Sequence, residues 1–306
     1  MAATHPVCPQ QLRNSSAPHW LRPYAAEMPA TFDSYNEEAA CTVVLTVPHA
    51  GRDYPGWTTD RLAVPLAQVR NLEDRFADAL VGSAIANGHR TLIARAPRLV
   101  IDLNRAETDF EARTVPGTRN PVPRPSHRAR GGLGLVPERL GNVQLWRTPV
   151  SAADLAARIV AIHRPWHKAI DMALVQARDK YGRALLLDVH SMPPLTGPHP
   201  AQIVIGDRHG TSAAAGVTGA VVELCRQAGL RVAVNAPYAG AYMLERHGRP
   251  SRGISALQIE VDRRLYLDSA LDQPGDGLDA LQALIATLAT RLDALHDSEN
   301  WPLAAE

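Results

Sequence analysis

The chain has 306 residues, 45% of them hydrophobic and 21% charged, a composition ordinary for a globular protein that excludes disorder throughout. Lys plus Arg number 32 against 31 Asp plus Glu, so no excess charge draws the protein to nucleic-acid phosphates or anionic lipid. With neither a charged-then-apolar leader nor an apolar run long enough to span a bilayer, the sequence predicts a cytoplasmic, soluble protein.

In chain order, residues 1–38 mix Pro, Ser, Asn and isolated aromatics and read as an irregular extension ahead of a single domain over 39–306. Thr42 to Val47 is a short, β-branched apolar run that meets Pro48, His49 and Gly51, as a buried strand entering a loop would, which puts His49 at a strand end. From Asn71 to Asn87 the apolar residues Leu72, Phe76, Leu80 and Ala84 recur at helical spacing. Gly88 follows as a C-cap, and the acidic pair Glu73 and Asp74 falls in the first turn. Thr91 to Ala94 and Leu99 to Leu103 are expected as strands. Residues 113–141, crowded with Pro, Gly and Arg, suit either a substrate-side lid or a surface insertion.

Ser151 is the expected N-cap of a long helix running to Tyr181, with Asp154 three residues on and Gly182 closing it. Strands at Ala184 to Val189, Ala201 to Ile205, Arg231 to Val234 and Ala256 to Val261 alternate with helices near Ser212 to Gln227 and Leu278 to Leu295. That alternation predicts an α/β fold with a mostly parallel sheet, because parallel strands need crossovers. No internal repeat is visible.

Four polar groups fall at strand ends, where open α/β sheets place their sites: His49, the Asn104-Arg105 pair, His190 and Glu260. Asp188 and His190 are two residues apart on one strand, hence on one face, so Asp188 could orient the imidazole. His49 and His190 with one carboxylate would make a three-ligand zinc site with an open position. Asp53, Glu73 and Asp74 are all available for the third place, although acids opening a helix also suit its dipole. His163 and His167 have i, i+4 spacing but lack the Glu of a zinc-protease helix. Asn104 and Arg105 could clamp a substrate carboxylate, or Asp102 and Arg105 could simply hold the loop. Glu260 on an apolar strand must be paired or functional, and suits a general base. Ser191 lacks the setting of a serine nucleophile. Cys8, Cys41 and Cys225 are too few and too scattered for a disulfide framework or a Cys-rich zinc site, and read as structural or incidental thiols.

Val47-Pro-His-Ala-Gly51, Glu73-Asp74, Arg98-Leu-Val-Ile-Asp-Leu-Asn-Arg105, Asp188-Val-His-Ser191 and Leu257-Gln-Ile-Glu260, in that order, resemble the N-formylglutamate amidohydrolase family over about residues 42–295. Parts of the set are also similar to aspartoacylase and, more remotely, to zinc carboxypeptidases. The resemblance implies a three-layer α/β/α, phosphorylase/hydrolase-like (zinc exopeptidase-like) fold. It implies that 39–306 is a catalytic domain in which His49, Asp74 and His190 bind one divalent metal, zinc by preference. Asn104, Arg105 and Arg98 would then hold the substrate carboxylate, and Glu260 would be the general base. The implied partner is a small N-acyl amino acid, N-formyl-L-glutamate first, with a deacylase of another N-acyl amino acid or a non-catalytic carboxylate-binding relative as alternatives. Gly240-Ala-Tyr-Met-Leu-Glu-Arg-His-Gly248 matches the family's Gly-rich segment loosely, and residues 113–141 do not align with it.

Overall fold

In a computed structural model, residues 30–118 and 124–294 are described. The strands are β1 (Phe32–Tyr35), β2 (Val43–Val47), β3 (Arg90–Ala94), β4 (Arg139–Leu140), β5 (Val143–Gln144), β6 (Ala184–Met192), β7 (Ile203–Gly206), β8 (Val232–Val234) and β9 (Ile254–Asp262). The helices that matter below are α1 (Gly82–Ala86), α2 (His127–Arg130), α3 (Ala152–Arg158), α4 (Arg164–Tyr181), α5 (Ala215–Gln227), α6 (Tyr242–His247) and α7 (Leu278–Ala294). The chain divides into two compact units. One holds residues up to Asp33, 48–73 and 94–169, and the other holds 34–47, 74–93 and 170 onward.

The second unit carries the sheet, ordered β1-β3-β2-β6-β9-β7-β8. β2 pairs in parallel with β3 and β6, β6 with β9 and β7 with β8, whereas β7 and β9 run antiparallel, so the α/β fold with a mostly parallel sheet is what the chain adopts. Every residue of β2, β6, β7 and β9 is buried, the pattern of strands covered on both faces, which is why they read as mostly apolar. Each fully buried Leu or Val there, such as Leu45, Leu186 and Leu187, contributes about 1.5–3 kcal/mol relative to exposure. Helices α5 and α7 pack against each other and against β7 and β2 respectively, and α6 lies against β6 and β9.

The first unit contains the β4–β5 hairpin, α2, α3 and the start of α4. Ser151 caps α3 as expected, its Oγ accepting from Asp154 N at 3.2 Å. The long helix to Tyr181 is widened into a π turn over Ile159–His163. Pro165 explains the place: it has no N–H to give Ala161 O, and the widened turn falls just before it.

Four sequence expectations need correction. The stretch read as irregular up to residue 38 contains β1, whose mixed polar run pairs at the sheet edge; residues 1–29 lie outside the described residues. The helix expected over Asn71–Asn87 is broken: a 3-10 turn ends at Leu72, Glu73 is extended and Phe76 has a left-handed φ of 52°. Regular helix resumes only in α1. Leu99 to Leu103 is buried but is a folded loop rather than a strand, turned by Val100 N donating to Pro97 O and by the Asp102 carboxylate accepting from Asn104 N. Residues 113–141 hold α2, β4 and a 3-10 turn at Ala112–Thr114 instead of being wholly irregular, with 119–123 outside the described residues. Among the described residues no helix is long and apolar enough to cross a membrane.

Candidate metal centre

The strand-borne part of the site sits on the two longest interior strands. In β6, Asp188 and His190 project from one face, and the parallel register sets His190 beside Glu260 and Asp188 beside Gln258 on β9. His190 Nε2 lies 2.8 Å from Asp188 Oδ2, and its Nδ1 lies 2.9 Å from Asp74 Oδ2. Thr46 on β2 donates to Asp188 Oδ1 at 2.6 Å, and Gln258 donates to Glu260 Oε1 at 2.7 Å. Asp74 is delivered by the break after Glu73. The next residue anchors that break twice: the Arg75 guanidinium donates to Asp272, and the Arg75 carbonyl accepts from the Tyr266 hydroxyl. Burial alone would lower the His190 pKa, but Asp188, Asp74 and Glu260 outweigh it and hold the group well above the ordinary imidazole range. A position ringed by three carboxylates is one that takes a cation. Arg263 adds a single charge, 3.5 Å from Asp74 Oδ1, and also donates to Ser191 Oγ.

The loop-borne part belongs to the first unit. His49 leaves β2 after Pro48, and its Nε2 lies 2.7 Å from Asp102 Oδ1. A carboxylate only accepts, so the proton of neutral His49 sits on Nε2 and the lone pair on Nδ1. Asp102 is completely buried and is held by Arg98 Nε at 2.8 Å, by Asn104 N at 2.8 Å and by Arg105 Nε at 3.8 Å. Burial pushes its carboxyl up, yet Arg98, His49 and Arg105 overcome that and keep it well below the usual carboxylate range. Gly51 fixes the path of the His49 loop: a Cβ there would stand 2.2 Å from Ala96 O, so the Pro-His-Ala-Gly string needs glycine for close backbone approach.

Arg105 is itself buried and donates to Leu133 O and Asn104 O. Its carbonyl meets His163 Nε2 at 2.8 Å, which gives His163, placed by the π turn, a structural part. The His167 ring lies against His163, centroids 4.3 Å apart and planes tilted by 53°. Burial lowers the Arg105 pKa; Asp102 and Asp109 oppose that shift, while Arg98 and Arg128 add to it. Three guanidiniums thus face two carboxylates around Arg105.

Of the three carboxylates open at the sequence level, Asp53 is paired with Arg95 at 2.7 Å, and Glu73 accepts from Tyr54 Oη at 2.6 Å. Asp74 is the one beside a candidate imidazole, its Oδ2 2.9 Å from His190 Nδ1, with both residues buried. The donor chemistry fits. Each imidazole is held through Nε2 by a buried carboxylate, the arrangement that orients histidine ligands of zinc. Sequence reasoning gave Asp102 only the part of holding its loop with Arg105, not that of His49's partner, and passed over Arg263 and Arg128. The spacing of Asp102 from Asn104 and Arg105 was the available signal for the first; nothing in one sequence marks the other two among so many arginines.

Residues 41–267 match the family model described as N-formylglutamate amidohydrolase. An N-formylglutamate deformylase of Pseudomonas aeruginosa is 25% identical over 261 residues, covering 82% of this chain and 92% of that protein. One from Pseudomonas putida is 26% identical over 269 residues, 81% and 94% respectively. The crystal structure of an N-formylglutamate amidohydrolase from Ralstonia eutropha superposes with a TM-score of 0.81 at 30% identity, covering 87% of this chain and 98% of the other. A protein from Agrobacterium tumefaciens shares the fold at 17% identity, with a TM-score of 0.62 over 88% of this chain and 96% of that one.

Proposed function

The chain belongs to the N-formylglutamate amidohydrolase family, and from that premise we propose that it hydrolyses the amide C–N bond of N-formyl-L-glutamate to formate and L-glutamate. The names and coverage of the Pseudomonas and Ralstonia relatives support the substrate. The observation that carries the chemistry is the pairing of each candidate imidazole with its own buried carboxylate, Asp102 for His49 and Asp188 for His190.

In this reading His49, Asp74 and His190 hold one divalent ion, zinc by the donor set. When bound, that ion supplies Lewis acidity to the amide carbonyl and to water. Asp102 and Asp188 keep the two rings turned so that Nδ1 serves as the ligand atom. Glu260, beside His190 in register and with Oε1 tied by Gln258, takes the proton of the attacking water at Oε2 and returns it to the departing amine. Arg105, with Asn104 and Arg98, receives the substrate carboxylate. The excess of guanidinium over carboxylate around Arg105 suits an anion there, and fixing the acidic end converts binding energy into orientation of the amide.

The test is formate release from N-formyl-L-glutamate by wild type, by chelator-treated protein and by Glu260→Gln. Loss by ~10²–10⁴-fold in the variant, and recovery of the chelated enzyme on adding zinc, are expected. Undiminished turnover in both treated forms rules the scheme out, and a panel of other N-acyl amino acids reads the acyl group.

A further inference from the structure

A second convergence of ligand-type side chains lies away from His190. One atom each of Cys41, His89 and Asp293 falls within 4.8 Å of the others. Cys41 precedes β2, His89 precedes β3 and Asp293 sits in the last turn of α7. Because β2, β3 and β6 are parallel, this cluster is at the N-terminal end of the sheet, opposite to His190 near the end of β6.

Asp293 and His89 are held by atoms other than the converging ones. Asp293 Oδ1 accepts from Thr42 N and Thr42 Oγ1 at 2.7 Å and from Val43 N at 3.0 Å, which turns Oδ2 toward His89. His89 Nε2 lies 3.1 Å from Thr290 Oγ1. The backbone of His89 is fixed by Ala84 O accepting its N–H and by Asn36 and Thr91 donating to its carbonyl. Cys41 Sγ is 3.3 Å from Val43 O. His89 Nδ1, in a residue only 6% exposed, faces Asp293 Oδ2 at 3.1 Å in an ion pair without an aligned hydrogen bond, and Asp293 and Cys41 together outweigh burial and push the imidazole up to about 9. Capping of β2 accounts for Oδ1 of Asp293. It does not account for a buried imidazole nitrogen aimed between a carboxylate oxygen and a sulfur.

We propose that Cys41, His89 and Asp293 form a second metal site, for a borderline-soft divalent ion such as Zn(II), that ties β2, β3 and α7 together at the N-terminal end of the sheet. A thiolate, a carboxylate and a neutral imidazole match a dication in charge and match zinc in donor type. The anchored outer atoms are what orient such ligands. Cys41 and Asp293 are partly exposed, so an ion and a completing water can reach the site from solvent. Binding releases the Cys41 thiol proton and any proton on His89. The inference does not depend on the hydrolase reading, since no residue is shared between the two clusters.

Sulfur distinguishes the sites, because the His49, Asp74 and His190 cluster contains none. Chelator-treated full-length protein titrated with Co(II) should take up two equivalents and develop a thiolate-to-cobalt charge-transfer band in the near ultraviolet. That band should disappear in Cys41→Ser, weaken in His89→Gln, and persist in His49→Ala and Cys8→Ser. Saturating Zn(II) should raise the wild-type Tm by ~5 °C more than it raises that of Cys41→Ser. The serine variant changes one partly exposed atom, so its folding is not at issue. A single equivalent with no thiolate band, or a band that survives in Cys41→Ser, overturns the proposal and leaves His89 and Asp293 as a plain ion pair.

Discussion

The two histidines of the candidate metal centre are held by different means. His190 stands on β6, an interior strand hydrogen-bonded on both sides, and its carboxylate partner Asp188 is two residues away on the same strand. His49 stands on a loop, and its partner Asp102 comes from another loop 53 residues on, itself held by Arg98 and by Asn104 N. In the strand, backbone pairing places the side chain and the carboxylate only tunes it. In the loop, the carboxylate does both. The comparison breaks first at the ligands themselves: His49→Ala and His190→Ala should each abolish stoichiometric metal at the centre and lower formate release by ~10³-fold or more, as loss of several kcal/mol of Lewis-acid stabilisation requires. If one variant keeps its metal and its rate while the other loses both, the two halves do not serve one site.

The second test separates placing from tuning. Asp188→Asn and Asp102→Asn should each weaken metal affinity or activity by ~10–100-fold, the usual cost of losing a histidine's outer partner. Stability should differ. Asp188→Asn keeps an acceptor for Thr46 and leaves His190 still facing Asp74 and Glu260, whereas Asp102→Asn leaves buried Arg105 and half-buried Arg98 short of countercharge, at a cost of about 3–5 kcal/mol. Urea denaturation of the two variants reads the difference. Equal midpoints would mean that the Asp102 loop is held by something other than its carboxylate.

That division also decides what could be read from the sequence. Strands β2, β6 and β9 were legible because burial on both faces keeps them mostly apolar, and the period of two placed Asp188 with His190. Helices α5 and α7 were legible from spacing. The segment from Asn71 to Asn87 misled because its apolar residues keep helical spacing while Asp74 and Arg75 are drawn to His190 and Asp272, partners that local periodicity does not contain. Leu99 to Leu103 misled for a related reason: an apolar run looks like a strand, but its backbone hydrogen bonds go to turns around Asp102. In both places a loop was mistaken for a regular element where tertiary polar contacts outweigh propensity, and both places carry candidate site residues.

A smaller effect probes the loop half alone. Gly51→Ala would push a methyl group into Ala96 O. Overpacking of that kind costs about 1–3 kcal/mol, and the loop can relieve it only by moving His49. Activity should therefore fall further than stability does, measured at a temperature where the variant is fully folded. Among the described residues no comparable glycine supports His190, so a matching loss from small-to-large changes along β6 would remove the distinction between the halves.

The smallest effect concerns a carboxylate held chiefly by neutral donors. Asp207, just after β7, accepts from Asn235 Nδ2 at 2.8 Å and from Gly210 N and Thr218 Oγ1 at 2.9 Å. Burial pushes its carboxyl up, but those hydrogen bonds outweigh burial and hold it below the ordinary value. The sign follows from the folded group being the stronger acid: Asp207 contributes stability that is present above the unfolded value of about 3.9 and is lost as pH falls through the lower folded value. Asp207→Asn should therefore be less stable than wild type at neutral pH and converge on it in acid, with no change in metal content. A gap of constant size down to the acid limit would mean that Asp207 acts through shape and hydrogen bonding alone. Its charge would then do no placing, and the contrast with Asp102, where countercharge holds the loop, would be sharper still.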